Sequence, residues 1–197
     1  EQDVGGKLQY GEVTNEVEVQ EEQSVSYETK FESREIPKEF FKAVERGVLD
    51  SAPGGALAGY PFIAIKAKLL NMKYDSENSN ELAYTIAASM AFKEACQKAG
   101  LSLMEPIMDL EVITPTEFAG DVISDINSKR GRILSMDPKG DRETIKAEAP
   151  LEGMFGYSTQ LRSRTQGRAN FSMTFKKYEL LTKQLTKKVL EKRGIYI

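Results

Sequence analysis

The order of elements expected between Met108 and Tyr178 limits the fold of this chain more than any other sequence feature. Apolar residues at strand or helix spacing follow one another there as strand, helix, strand, strand, helix and strand. This is the split βαβ, or ferredoxin-like, order, in which a four-stranded antiparallel sheet carries both helices on one face. The expected bounds are 108–114, 116–128, 132–136, 144–149, 155–165 and 169–178, with a hairpin turn at 137–141.

A module boundary is predicted at Glu105 and Pro106, because the residue before a proline avoids helical angles and a new strand follows at once. We therefore expect an α+β protein with two α/β-sandwich modules, residues 1–105 and 106–178. An amphipathic helix within residues 179–197 is expected to pack across both modules, with Leu181, Leu185 and Val189 on its apolar face.

The first module combines strands and helices in its own order. Strands are expected over 9–19, 25–31 and 62–70, and a helix is expected from Pro37 to about Ala52. A second helix should begin near Asn78, which with Glu81 resembles a capping box, and end near Gly100. Four residues are expected on its apolar face: Leu82, Ile86, Met90 and Phe92.

Composition restricts the class of protein. The 197 residues are 40% apolar, enough to build real cores, and the formal net charge is −3. One cysteine rules out an internal disulfide, and the absence of histidine removes the commonest metal ligand. An intracellular, metal-free protein fits best. No apolar run approaches the ~20 residues of a membrane span, and a start at Glu1 instead of Met predicts a piece of a longer protein.

Catalytic sites are poorly supported. Cys96 lies among alanines in a predicted helix, where a buried structural thiol is far more common than a nucleophile. Asp121 and Asp125 are one helical turn apart, and a solvated helix face explains them without any chemistry. Gly5-Gly6-Lys7 lacks the strand and spacing of a phosphate-binding loop, so nucleotide hydrolysis by this piece is not expected.

Charge is unevenly distributed along the chain. Acidic residues dominate from Glu1 to Glu35, and basic residues dominate from Arg162 onward. Six cations lie near the ends of the two helices of the second module: Lys129, Arg130, Arg132, Arg162, Arg164 and Arg168. They are suited either to pair with helix-terminal carbonyls or to bind RNA phosphates. Three aromatic residues, Phe155, Phe171 and Phe175, are expected in the core instead of on a base-stacking surface.

Several ordered phrases resemble the C-terminal part of translation elongation factor G. The most specific are Leu103-Met104-Glu105-Pro106-Ile107-Met108, Gly120-Asp121-Val122-Ile123-Ser124-Asp125 and Met154-Phe155-Gly156-Tyr157-Ser158-Thr159-Gln160-Leu161-Arg162-Ser163. Earlier phrases are Gln9-Tyr10-Gly11, Leu57-Ala58-Gly59-Tyr60-Pro61, Ser79-Asn80-Glu81-Leu82-Ala83 and Ala87-Ala88-Ser89-Met90-Ala91-Phe92-Lys93-Glu94. The resemblance therefore covers nearly the whole chain.

The resemblance implies a fold and a mechanical role. The first module should have the ribosomal-protein-type fold of the family's domain IV, with a left-handed crossover, and the second should correspond to domain V. Two loops should form a tip that reaches the decoding site of the ribosome. The implied tip residues are Gly5, Gly6, Lys7, Gln9 and Tyr10 in the first loop and Tyr74, Asp75 and Ser76 in the second.

The resemblance also implies partners. The six cations of the second module should contact ribosomal RNA, and the tip should contact transfer RNA and messenger RNA. The fragment needs no cofactor, whereas the longer protein should bind GTP and Mg²⁺ and hydrolyse GTP. A cytoplasmic monomer with no membrane association is expected.

The tip departs from the family pattern at two positions. Asp75 stands where the family has histidine after tyrosine, and Leu8 stands where it has glycine in the first loop. A paralogue that recycles or protects ribosomes is therefore an alternative to a translocation factor. Two other classes remain open, a free-standing RNA-binding protein and a small hydrolase that uses Cys96 or the Asp121 and Asp125 pair.

Overall fold

The computed structural model describes residues 2–4 and 7–196, with side chains from residue 9 onward. The chain divides into two compact units, residues 1–101 with 187–197 and residues 102–186. Glu105 and Pro106 lie inside a strand, Met104–Pro115, so the predicted boundary falls within an element. Proline is tolerated there because the strand pairs with its second neighbour only from Ile107 onward. The other predicted bounds of the modules stay predictions.

The first unit contains a three-stranded sheet and a short hairpin. The hairpin joins β1 (Gln2–Val4) and β2 (Lys7–Gln9), and the sheet contains β3 (Glu12–Val19), β4 (Val25–Thr29) and β5 (Ile65–Lys73). The sheet order is β3-β5-β4, with β5 antiparallel to β3 and parallel to β4. The connection from β4 to β5 is therefore a crossover. The left-handedness of this crossover stays a prediction.

The long first strand expected over residues 9–19 is interrupted at Gly11. A Cβ atom at Gly11 would lie 2.9 Å from the carbonyl carbon of Ala83, so the backbone there passes against the second helix. Strand pairing resumes at Glu12. This close approach separates the tip hairpin from the main sheet.

Two helices cover one face of the sheet in the first unit. They are α1 (Lys38–Ser51), which follows Pro37 as predicted, and α2 (Glu81–Ala99). The cap of α2 is Asn80, whose side-chain oxygen accepts a hydrogen bond from the Ala83 amide at 2.9 Å. The predicted cap, Asn78, lies two residues too early and instead belongs to the preceding loop.

The buried face of α2 was predicted wrongly. Leu82, Ile86 and Met90 are exposed, and of the four predicted residues only Phe92 faces the core, together with Tyr84, Ala88 and Cys96. Apolar residues occur on more than one side of this helix, so periodicity alone does not select a face. The rotation of α2 about its own axis is set by its contact with Gly47 of α1, where an added Cβ would lie 2.3 Å from the Thr85 carbonyl oxygen.

The second unit has the predicted ferredoxin-like order. Its strands are β6 (Met104–Pro115), β7 (Arg132–Lys139), β8 (Arg142–Pro150) and β9 (Asn170–Leu180), all antiparallel in the order β7-β8-β6-β9. Its helices are α3 (Ala119–Ser128), α4 (Leu151–Met154) and α5 (Tyr157–Arg164). The β7–β8 turn is only Gly140 and Asp141, with Gly140 at φ +67°.

The core of the second unit lies between its sheet and helices and contains Val112, Ile126, Ile145 and Leu161. Phe171 packs edge-to-face on Tyr157, with ring centroids 5.1 Å apart. Phe155 and Phe175 are 73% and 50% exposed, so the prediction that they are core residues is wrong. Phe155 is exposed because it lies in the turn before α5, between inward-facing Met154 and Tyr157.

The last helix, α6 (Lys183–Lys192), begins after Leu181, so of the expected apolar face it carries only Leu185 and Val189, next to buried Leu190. Residues 183–186 belong to the second unit and residues 187–197 to the first. Beside this end of the chain, the Arg193 guanidinium stacks 4.6 Å from the centre of the Tyr60 ring. Packing of the helix across the modules stays a prediction.

Candidate nucleic-acid interface

The two predicted tip loops meet in the first unit. The Tyr10 amide donates a hydrogen bond to the Asn78 carbonyl at 3.0 Å, and Tyr10 forms an isolated parallel bridge with Ser79. Gln9 and Tyr10 therefore lie beside the loop that carries Tyr74, Asp75 and Ser76. Gly5 and Gly6 lie outside the described residues, and Lys7 is described only as part of the β2 backbone.

The carboxylate of Asp75 organises its own loop. One oxygen accepts hydrogen bonds from the amides of Glu77 at 2.9 Å and Asn78 at 3.0 Å, and the other accepts one from the Asn78 side chain at 3.3 Å. The Glu77 and Asn78 amides hold the pKa of Asp75 below its usual range. This geometry is an Asx turn, in which the carboxylate bonds to the backbone of its own loop.

A buried hydroxyl fixes the other side of this loop. Tyr84 has no exposed surface, and its hydroxyl donates to the Lys73 carbonyl at 2.7 Å and lies 3.2 Å from the Ser79 hydroxyl. Ser79 in turn accepts a hydrogen bond from the Asp75 amide at 3.0 Å. The loop is thus tied at both ends to β5 and α2, which makes it pre-organised.

Both helices of the first unit begin beside these loops. Phe40, in the first turn of α1, packs at a tilt against Tyr84, in the first turn of α2, with ring centroids 4.9 Å apart. Phe40 also contacts Tyr74, at 5.8 Å. Helix N-termini carry partial positive charge and favour phosphate. The sequence did not predict that the two helix starts meet here, although Pro37 and Asn80 mark both of them.

Most cations of the second unit have an acidic partner within the fold. Arg130 forms a two-pronged pair with Glu105, both N–O distances being 2.7 Å, and Arg132 lies 2.7 Å from Glu148. The hydrogen bond from Lys176 and, to a smaller extent, the one from Arg132 hold the pKa of Glu148 below its usual range. Arg168 pairs with Glu117 and stacks over the Phe118 ring at 4.7 Å. Their charge is therefore largely compensated.

Asp125 forms ion pairs with two more of the cations that were predicted to bind RNA. Its carboxylate is 3.2 Å from Arg164 and 3.9 Å from Lys129, and the residue is only 5% exposed. The expectation that a solvated helix face explains Asp121 and Asp125 is therefore wrong for Asp125, because the C-terminal ends of α3 and α5 converge on it. An ion-paired structural role replaces the catalytic alternative.

Arg162 differs from the other five cations. It is exposed near the end of α5 and has no ion-pair partner among the described side chains, residues 9–196. The six cations also do not form one cluster. Arg168 lies at the start of α3 and Lys129 at its end, about 15 Å apart along a ten-residue helix.

The enzymatic alternative at Cys96 gains no support from its surroundings. Cys96 is 2% exposed, and burial raises the pKa of its thiol to about 11. A thiol of this kind is a poor nucleophile at neutral pH. In the described part of the chain, no group of three or more His, Cys, Asp and Glu side chains is placed to hold a metal ion, and no helix there has the length and apolarity to cross a membrane.

Comparison with known proteins agrees with this two-unit organisation. Residues 1–100 match the family model described as elongation factor G, domain IV, and residues 102–189 match the model described as elongation factor G C-terminus. The chain is also similar to a crystal structure of a protein from Thermus thermophilus, with 35% sequence identity and a TM-score of 0.89. That match covers 98% of this chain and 29% of the Thermus chain.

Proposed function

The chain belongs to the elongation factor G family, and from this premise we propose that it is the ribosome-binding part of a translation factor that promotes movement of transfer RNA and messenger RNA. In this function the tip enters the decoding site and occupies it. The observation that supports the proposal is the hydrogen bond between Tyr10 and Asn78, which brings the segment after β2 beside the loop that carries Asp75. A pre-organised tip suits a mechanical role because little ordering entropy is lost on binding.

The energy source is proposed to lie elsewhere in the longer protein. GTP, bound with Mg²⁺ and hydrolysed there, would change the conformation of the whole factor. The chain itself would act without a cofactor, as part of a cytoplasmic monomer whose partners are ribosomal, transfer and messenger RNA.

The second unit is proposed to contact ribosomal RNA, first through Arg162. A guanidinium without an internal partner is available to a phosphate at no cost in broken ion pairs. The other five cations, Lys129, Arg130, Arg132, Arg164 and Arg168, would have to share their acidic partners with the RNA or leave them.

The test is chemical probing of ribosomal RNA in the presence of this chain. We expect protection of decoding-site nucleotides, and loss of that protection when Gln9 and Ser76 are both changed to Ala. Lys98→Ala is the matched control, because Lys98 lies at the far end of α2, about 26 Å along the axis from the start of the helix beside the tip loops. Protection only outside the decoding site, or protection unaffected by the tip changes, would contradict the proposed function.

A paralogue devoted to ribosome recycling or protection is the second candidate. The observation that favours it is Asp75, which takes the place of a family histidine and directs its carboxylate into its own loop. The tip then lacks a polar group that the family pattern places there. Toeprinting of messenger RNA movement, run beside a subunit-splitting assay with the complete parent protein, separates the two functions.

A further inference from the structure

The second unit contains a long stretch with positive charge and no acidic residue. Residues 153–178 include Arg162, Arg164, Arg168, Lys176 and Lys177 but neither Asp nor Glu. The other four cations have acidic partners, on the same strand for Lys177 and on other elements for the rest, whereas Arg162 has none among the described side chains. Arg162 is therefore the cation of this stretch that a polyanion can bind without breaking an internal ion pair.

An exposed aromatic ring begins the same stretch. Phe155 is 73% exposed, although its neighbours Met154 and Tyr157 are 5% and 0% exposed. A large apolar side chain held outward between two buried residues has no packing role in this unit. It is a candidate for contact with a partner.

The backbone around Phe155 is fixed. Gly156 adopts φ +74°, in the left-handed region, and serves as the cap from which α5 begins. Gly153 lies against Lys129, since an added Cβ there would be 3.0 Å from the Lys129 Cβ. The outward direction of Phe155 is thus a consequence of ordered structure on both sides.

Arg162 follows Phe155 on the same short segment. The helix axis between Tyr157 and Arg162 measures about 7 Å, and Thr159 and Ser163, which are exposed between and beside them, offer hydroxyl groups. An aromatic face, a free guanidinium and hydroxyls on one short segment are the groups that bind an unpaired nucleotide by base, phosphate and sugar. A partner protein with an acidic or an apolar surface would bind only some of these groups.

We propose that Phe155 stacks on an unpaired base of ribosomal RNA beside a phosphate held by Arg162. The inference rests on the proposed function, because it adds a base-stacking residue to the proposed RNA contact of the second unit. It assigns Phe155 a binding role that its place in the sequence did not suggest.

The test measures binding of the 197-residue chain to large ribosomal subunits of Thermus thermophilus across a salt series. Phe155→Ala is expected to weaken binding about 5- to 100-fold with an unchanged salt slope, because stacking releases no counterions. Phe155→Trp should bind like the wild type, and Phe155→Leu should bind like the alanine variant. Arg162→Gln should instead reduce the slope by about 0.7–0.9.

Phe175→Ala is the matched control, since Phe175 is half-exposed in the same acid-free stretch, and it should leave binding unchanged. Full binding by Phe155→Leu would identify an apolar protein pocket and overturn the inference, as would wild-type binding by Phe155→Ala. If only Arg162→Gln has its effect, the proposed RNA contact stands and the stacking fails. If the wild-type chain does not bind, or no substitution matters, both fail.

Discussion

The tip loops of the first unit and the basic segments of the second are both rich in polar groups, but they use them differently. At the tip, polar side chains bond mainly to nearby backbone, as Asp75 does to the amides of Glu77 and Asn78. In the second unit, cations pair with acids on other elements, as Arg130 does with Glu105. The comparison shows that a charged residue in the sequence is not necessarily available to bind a partner.

The largest expected effect contrasts two fully buried tyrosines. Tyr84→Phe should destabilise the first unit by about 1–3 kcal/mol, because it leaves the Lys73 carbonyl and Ser79 without a partner. Tyr157→Phe should change the stability of the second unit little, since the Tyr157 hydroxyl has no hydrogen-bond partner within the described residues. Urea unfolding, with hydrogen exchange to assign each unit, measures both. Equal losses would break the contrast between the regions.

The second effect compares a paired and an unpaired arginine. Arg130→Gln should lower the stability of the second unit by about 0.5–1 kcal/mol, because the pair with Glu105 is partly exposed, and it should leave the salt slope of RNA binding nearly unchanged. Arg162→Gln should leave the stability of the second unit nearly unchanged and should reduce the salt slope of RNA binding. Thermal unfolding and salt-dependent binding measured on both variants decide this. A similar slope change for both would show that the internal pairs open on binding.

A smaller effect concerns the stability of the first unit at acidic pH. The folded-state pKa of Asp75 is lowered, so its contribution to stability is present above the unfolded value of about 3.9 and is lost as the pH falls through the folded value. Asp75→Asn should therefore be less stable than the wild type near pH 7, and the difference should shrink below about pH 4. Melting curves across this range provide the measurement. A difference that grows with acid would show that Asp75 does not anchor the loop.

The smallest effect is expected at Cys96, which lies in the core and in neither polar region. Cys96→Ala should leave RNA binding unchanged and lower stability only modestly, since it removes one buried sulfur atom. In the native wild type, the thiol should react slowly with a thiol-specific reagent because burial raises its pKa to about 11. Loss of ribosome binding in Cys96→Ala would place this residue in the function after all.

Part of the fold followed from local preferences. Pro37 correctly marked the start of α1, and the order of strands and helices after Met108 correctly gave a four-stranded antiparallel sheet, whose strand order β7-β8-β6-β9 only the structure shows. The tip was less predictable. Residue pattern placed Tyr10 in a strand, and only the resemblance placed Tyr10 and Asp75 in loops that meet, because the hydrogen bond from Tyr10 to Asn78 joins residues far apart in sequence.

The sequence alone therefore determined where elements begin, how they alternate and which family the chain resembles, because turns, caps and periodicity act over a few residues. Tertiary structure decided which face of α2 is buried, through the close approach at Gly47, and which charges stay free. Arg130 meets Glu105 across 25 residues and Arg168 meets Glu117 across 51. Such pairs depend on distances in the folded chain, which no local pattern of residues specifies.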